Sequence, residues 1–136
     1  MMCGLPNSGK TTKVQQLTQQ ENPTIISLDK YTHLYLDGYK PKDIVEFAIK
    51  DIIAALEQGN NVLYDAVNAT KFERKQIIDS VDCDVCCVYM KTPVEICEAR
   101  DEHTWSTLYA RIFEEPTEDE GFELIVSYDG VEAEVV

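Results

Sequence analysis

Short apolar runs alternate along this chain with longer stretches whose apolar residues recur at helical spacing. The runs "TIISLD" (24–29), "NVLYDAV" (61–67) and "DVCCVYM" (84–90) lack the polar alternation of a half-exposed strand, which suits strands buried on both faces. Between them, Lys10–Gln20 reads as a helix. Pro41–Gln58 does too, with Val45, Ala48, Ile49, Ile52 and Leu56 on one stripe and Gly59 placed for a C-cap. Thr70-Lys-Phe-Glu73 and Thr92-Pro-Val-Glu95 both fit the capping box that opens a helix, and Pro93 suits a first helical position. Thr117–Glu120 repeats the box before a short turn ending near Gly121. Glu123–Ser127 reads as a last strand, and Asp129-Gly130 as a turn from which an edge hairpin could return. The crossovers are long enough for parallel strands, so the pattern predicts an α/β three-layer fold with a mostly parallel sheet. We expect one domain over 1–136, with an acidic segment from about 114.

The first element departs from the pattern. Gly4 to Thr11 reads G-x-x-x-x-G-K-T, a phosphate-binding loop that normally follows a buried strand, yet only Met1, Met2 and Cys3 precede it. A central parallel strand has about five or six residues, so the first strand is expected to be truncated and the native chain to start upstream of Met1. In such a loop, Gly4, Pro6, Asn7, Ser8 and Gly9 form a cradle whose inward amides and following helix end favour a polyphosphate. Lys10 would reach the β- and γ-phosphates of ATP, Thr11 would ligate Mg²⁺, and Thr12 would help hold an earlier phosphate.

Composition narrows the partners. The net charge is −13, and nine acids with no Lys or Arg follow residue 113. Such a segment reads as a solvated, solubilising face and argues against a broad nucleic-acid-binding surface. No stretch approaches the roughly 20 apolar residues of a membrane helix, and no apolar signal region precedes the loop, so a cytoplasmic protein with no membrane partner is expected. Cys3, Cys83, Cys86, Cys87 and Cys97 are odd in number, which predicts reduced thiols serving as small apolar residues in a buried strand.

Two carboxylates stand at strand ends: Asp29 closes "IISLD" and Asp65 sits in "VLYDAVN". Ligands of open parallel sheets bind outside the carboxyl ends of the strands. Asp29 could therefore take a proton from an acceptor hydroxyl, and Asp65 could hold a magnesium-bound water or orient the acceptor. Either acid could instead cap a helix or a turn.

"GLPNSGKTT", "SLDKYT", "DAVNATKFERKQI" and "VYMKTPVEICEARD" resemble, in order and spacing, the P-loop kinase domain of polynucleotide 5′-kinases, and "FEEPTEDEGFELI" resembles the tail of that family and its AAA-like relatives. The resemblance implies that Lys10 and Thr11 are the nucleotide- and metal-binding pair and that Asp29 is the general base. It implies acceptor binding by Asp65, Asn68 and Arg74, and places Arg100 at the end of a lid-entering helix, facing the ATP. Arg74 and Arg100 have a simpler alternative as surface ion pairs. Two family arginines are missing. Thr32 stands where one follows the base, and after Arg100 the short lid offers only His103, Thr104 and, later, Arg111. The expected activity is phosphoryl transfer from ATP·Mg²⁺ to a hydroxyl, with a polynucleotide 5′ end as acceptor by resemblance. A small hydroxylated metabolite or nucleoside is the alternative acceptor, and a degenerate, non-catalytic ATP-binding module the alternative function.

Overall fold

Alternation along the strands decides the layers. In β1 (Met2–Gly4), β3 (Val62–Asp65) and β4 (Cys86–Met90), successive side chains leave the sheet on opposite sides. Met2, Leu63 and Met90 join Val14 of α1 (Lys10–Glu21) in one buried cluster. Met1, Ile26 and Tyr64 join Ile44, Ala48 and Ile52 of α2 (Pro41–Glu57), and Ile77 of α3 (Lys71–Ser80), in another. Helices thus cover both faces of the sheet, as the three-layer expectation requires. Each fully buried aliphatic side chain contributes about 1.5–3 kcal/mol.

The computed structural model describes residues 1–101 and 105–130. β2 (Thr24–Ser27), α4 (Val94–Arg100), α5 (Trp105–Ala110) and β5 (Leu124–Tyr128) complete the main elements. The pairs β2–β3, β1–β4 and β4–β5 are all parallel. β1 has only three residues, although its pairing runs on through Met1, whose carbonyl accepts from Val88 N–H at 2.8 Å. Toward β3 it makes a single backbone bond, Gly4 N–H to Val67 O at 3.1 Å. Hydrogen bonding therefore divides the sheet into two ladders, β2–β3 and β1–β4–β5. No helix among the described residues is long and apolar enough to cross a membrane.

Several local expectations change. The strand begun at Thr24 stops at Ser27, and Leu28–Tyr35 winds into a 3₁₀ helix that carries Asp29 in its first turn. Thr70 caps α3 by accepting from Glu73 N–H at 3.2 Å, but Glu73 reaches back to the amide of Ala69. Thr92 does not cap α4. Pro93 takes the N-cap position, while the Thr92 hydroxyl donates to Ser8 O at 2.6 Å and accepts from Gly130 N–H at 3.0 Å. That hydroxyl is spent on tying the Gly4–Thr11 loop to the chain after β5. The return strand expected after Gly130 lies outside the described residues.

The thiols also differ from expectation. All five are free, but Cys83 and Cys86 are exposed and the buried Cys97 belongs to α4; of the expected strand positions only Cys3 and Cys87 are buried. Nor is the acidic segment merely a solvated face. Glu120 is turned inward onto Arg74 at 2.7 Å, because a guanidinium with no solvent exposure needs a counter-charge.

Candidate active site

The loop from Gly4 to Thr11 owes its shape to close approach and to left-handed backbone. A Cβ on Gly4 would stand 2.8 Å from Ser8 Oγ and 3.0 Å from Met90 O, so only hydrogen fits there. Asn7 and Gly9 have φ of +65° and +99°, and this turns the loop into the first turn of α1. Gly9 takes the N-cap position of α1 without a side-chain cap, so no capping side chain competes for the first-turn amides. Ser8 is fully buried, and among the described residues its Oγ is the buried side-chain polar atom without a partner.

The Lys10 ammonium folds back on the loop, donating to Gly4 O at 2.9 Å and Leu5 O at 2.8 Å. Burial lowers its pKa, opposed by the nearby Asp65, Cys3, Cys97 and Asp29. The two carboxylates are brought together by register. Ser27 pairs with Asp65 across β2–β3, so Asp29, two residues beyond Ser27, emerges beside Asp65. Burial raises the Asp65 pKa above the ordinary 3.8. Lys10 opposes that shift, and the Asp29 charge adds to it.

That shift predicts a trade-off. A carboxyl whose folded pKa is raised lends its stability below the unfolded pKa and loses it as pH rises through the folded one. At pH 7 the ionised Asp65 therefore costs stability. Asp65→Asn is expected to melt higher than the parent at pH 7 in metal-free buffer, with the gap closing near pH 3. Thermal melts across that range check this; a variant that melts lower at pH 7 would show Asp65 to be a net stabiliser.

Pro6, Asn7, Lys10, Thr11, Asp29, Asp65 and Arg100 line one cleft of about 840 Å³, within the range of small-molecule sites. Arg100, in the last turn of α4, donates to Asn7 O at 3.1 Å and Gly130 O at 3.5 Å, which holds it at the loop. Gly4, Ser8 and Gly9 form the back of the loop, and Thr12 is exposed on the first turn of α1. Thr11 and Asp65 present oxygen ligands to the same cleft, a set that suits a hard divalent cation needing only one or two protein ligands beside phosphate oxygens.

Two residues expected at the acceptor lie elsewhere. Asn68, 4% exposed and at φ +49°, donates from Nδ2 to Met2 O at 2.6 Å and fastens β1 to the chain beyond β3. Arg74 is fully buried. It spends its donors on Glu120 through Nε and Nη2, on Glu115 O at 3.5 Å, on Asn68 O at 2.7 Å, and on Cys3 Sγ at 3.7 Å. A guanidinium so committed has no donor to offer an acceptor. His103 and Thr104 lie outside the described residues, and Arg111 is exposed beyond α5, away from the cleft lining.

Sequence reasoning missed the aromatic lining of the cleft, Tyr35, Trp105 and Tyr109, and the residue that positions α5. Ser106, fully buried, donates to Pro6 O at 2.9 Å and accepts from Asn7 Nδ2 at 3.4 Å, while its amide donates to Asp101 Oδ2 at 2.8 Å. The i, i+4 spacing of Trp105 and Tyr109 was the available signal.

A family model described as an AAA domain matches residues 1–103. Among solved structures, the APS kinase of Mycobacterium tuberculosis, in complex with AMPPNP and APS, superposes with a TM-score of 0.60 at 19% identity, over 98% of this chain and 91% of that one. No curated protein sequence matches the chain. The fold held in common is that of the P-loop NTPase kinases, α/β with a mostly parallel sheet.

Proposed function

We propose that this chain, which belongs to the AAA-domain family and has a P-loop kinase fold, transfers the γ-phosphate of ATP to an acceptor hydroxyl. The observation that carries this reading is the placing of Asp29 and Asp65 in one cleft with Lys10 and Thr11. The loop amides and Lys10 bind the phosphates, Lys10 exchanging the carbonyls of Gly4 and Leu5 for phosphate oxygens. Thr11 and Asp65 would hold Mg²⁺, which when bound neutralises charge on the β- and γ-oxygens. Arg100 lies at the loop edge, suited to charge that develops during transfer. Asp29 orients the acceptor hydroxyl and takes its proton.

By sequence resemblance the acceptor is a polynucleotide 5′-hydroxyl, and that the APS kinase was solved with a nucleotide acceptor is in keeping with a nucleotide-like group. A small hydroxylated acceptor is favoured by a separate observation. Among the described cleft residues the cations are Lys10 and Arg100, both held at the phosphate loop.

Asp29→Asn keeps shape and hydrogen bonding but cannot accept a proton. ATP·Mg²⁺ affinity by calorimetry is expected to stay near the parent value while turnover falls about 10²–10⁴-fold, nearer the small end because a loose transition state needs little early help from a base. A variant that no longer binds ATP, or that turns over at the parent rate, would remove Asp29 from this role.

A further inference from the structure

Aromatic rings line part of the same cleft. Tyr35, at the end of the 3₁₀ helix that carries Asp29, is 47% exposed, and Trp105, at the start of α5, is 57% exposed. Tyr109 stands one helical turn beyond Trp105 on the same face of α5. Large rings left this open have surface that a ligand can cover. Their placement is also fixed. Ser106, between the two α5 rings, binds Pro6 O and Asn7 Nδ2 of the phosphate loop, and Asp101 holds its amide. The wall is thus locked to the loop that would hold the transferred phosphate.

Tyr35 and Tyr109 line the cleft together with Asp29, and Tyr35 ends the 3₁₀ helix whose first turn holds Asp29. The Tyr109 hydroxyl, its pKa raised chiefly by burial, also feels Glu73, Tyr35 and Asp29. Among the described residues the cations that line the cleft, Lys10 and Arg100, are both bonded to loop carbonyls, and its other lining includes Leu28, Ala66, Val67 and carboxylates. A flat, uncharged group suits exposed rings with apolar side chains in the same lining.

We infer that Tyr35, Trp105 and Tyr109 form a stacking site for the base of a nucleoside unit whose sugar hydroxyl is the acceptor. This deepens the kinase reading and rests on it for the word acceptor; the stacking itself does not. Base–aromatic stacking tolerates any base, because each presents a π-face. A free nucleoside and the 5′ end of a strand both present such a unit.

Trp105 is the sole tryptophan of the chain, so its fluorescence reports this wall alone. With the phosphate loop saturated by AMPPNP and Mg²⁺, adenosine is expected to quench Trp105 saturably, and ribose is not. Quenching by adenosine alone assigns a free nucleoside; quenching also by a 5′-hydroxyl oligonucleotide assigns a strand end, and both sustain the stacking site. In transfer assays Trp105→Ala should raise the KM for the base-bearing acceptor roughly 5- to 150-fold, the range of one stacked base, with the KM for ATP held. Trp105→Phe should restore most of it.

Absence of quenching by adenosine and oligonucleotide, with transfer to ribose or glycerol as fast as to adenosine, overturns the stacking site and leaves the kinase reading standing. Saturable adenosine quenching without transfer to any alcohol leaves a base-binding wall and overturns the kinase reading. Should AMPPNP·Mg²⁺ alone quench Trp105 and compete with adenosine, the wall holds the base of ATP, and the assignment to the acceptor fails.

Discussion

Lys10→Ala is expected to weaken ATP·Mg²⁺ binding by about 10²–10⁴-fold. A hydrogen bond to a charged partner contributes about 1.5–3 kcal/mol, and Lys10 makes two in the structure, to Gly4 O and Leu5 O. Bound phosphates would take the place of those carbonyls, and phosphate oxygens, being charged, are the better acceptors. Losing two such bonds is worth about 3–6 kcal/mol, the affinity change stated. The loop amides would remain and keep some residual binding. Isothermal titration with AMPPNP and Mg²⁺ measures the change directly. An unchanged dissociation constant would mean that the Gly4–Thr11 loop does not hold the nucleotide, and the proposed function would fall with it.

The second large effect concerns stability. Arg74→Ala is expected to cost about 3–5 kcal/mol, the usual penalty for removing one partner of a buried pair, and to lower Tm by on the order of 10–20 °C for a chain this size. The variant strands the Glu120 carboxylate, which is 8% exposed, and frees the carbonyl of Asn68. The effect carries a pH signature. Burial alone would raise the Glu120 pKa, but the Arg74 guanidinium and the Thr117 amide outweigh it and hold it below the ordinary 4.5. A carboxylate with a depressed folded pKa adds stability above its unfolded pKa and loses it as pH falls through the folded value. The gap between parent and variant should therefore be full at pH 7 and shrink below about pH 4. Denaturant titrations at pH 7 and pH 3 test both parts. A near-neutral substitution at pH 7 would return Arg74 to the role that the family resemblance implied for it.

Much of the fold was legible because it depends on neighbours in sequence. The apolar runs at 24–29, 61–67 and 84–90 became β2, β3 and β4, trimmed at the end of the first, at both ends of the second and at the start of the third. The α2 stripe was read correctly as a helix, while its buried face proved to be Ile44, Ala48, Ile52 and Ala55. The alternation of runs and helices was sufficient for a parallel α/β sheet, since crossovers of that length leave few other topologies. The Gly4–Thr11 loop was singled out from one motif, and its left-handed turns at Asn7 and Gly9 lead into α1. Asp29 and Asp65 shared a crevice by rule, because parallel strands bring their carboxyl ends to one edge.

What the tertiary structure decided depends on partners far apart in sequence. Arg74 meets Glu120 across 46 positions, and Ser106 meets Pro6 across 100. No periodicity or spacing encodes such a meeting. An arginine on a helix and a glutamate in an acidic segment look alike whether they face water or each other. Thr92 had the local pattern of a helix cap, yet its hydroxyl went to Ser8 O and Gly130 N–H, which only the assembled sheet brings within reach. Trp105 and Tyr109 became a wall because Ser106 anchors α5 to the loop. Local propensity and strand-end geometry set the elements and the meeting of Asp29, Asp65 and the Gly4–Thr11 loop in one cleft. Long-range polar pairing set which side chains are structural and which face the cleft, because a buried donor or acceptor takes whatever partner the fold brings near.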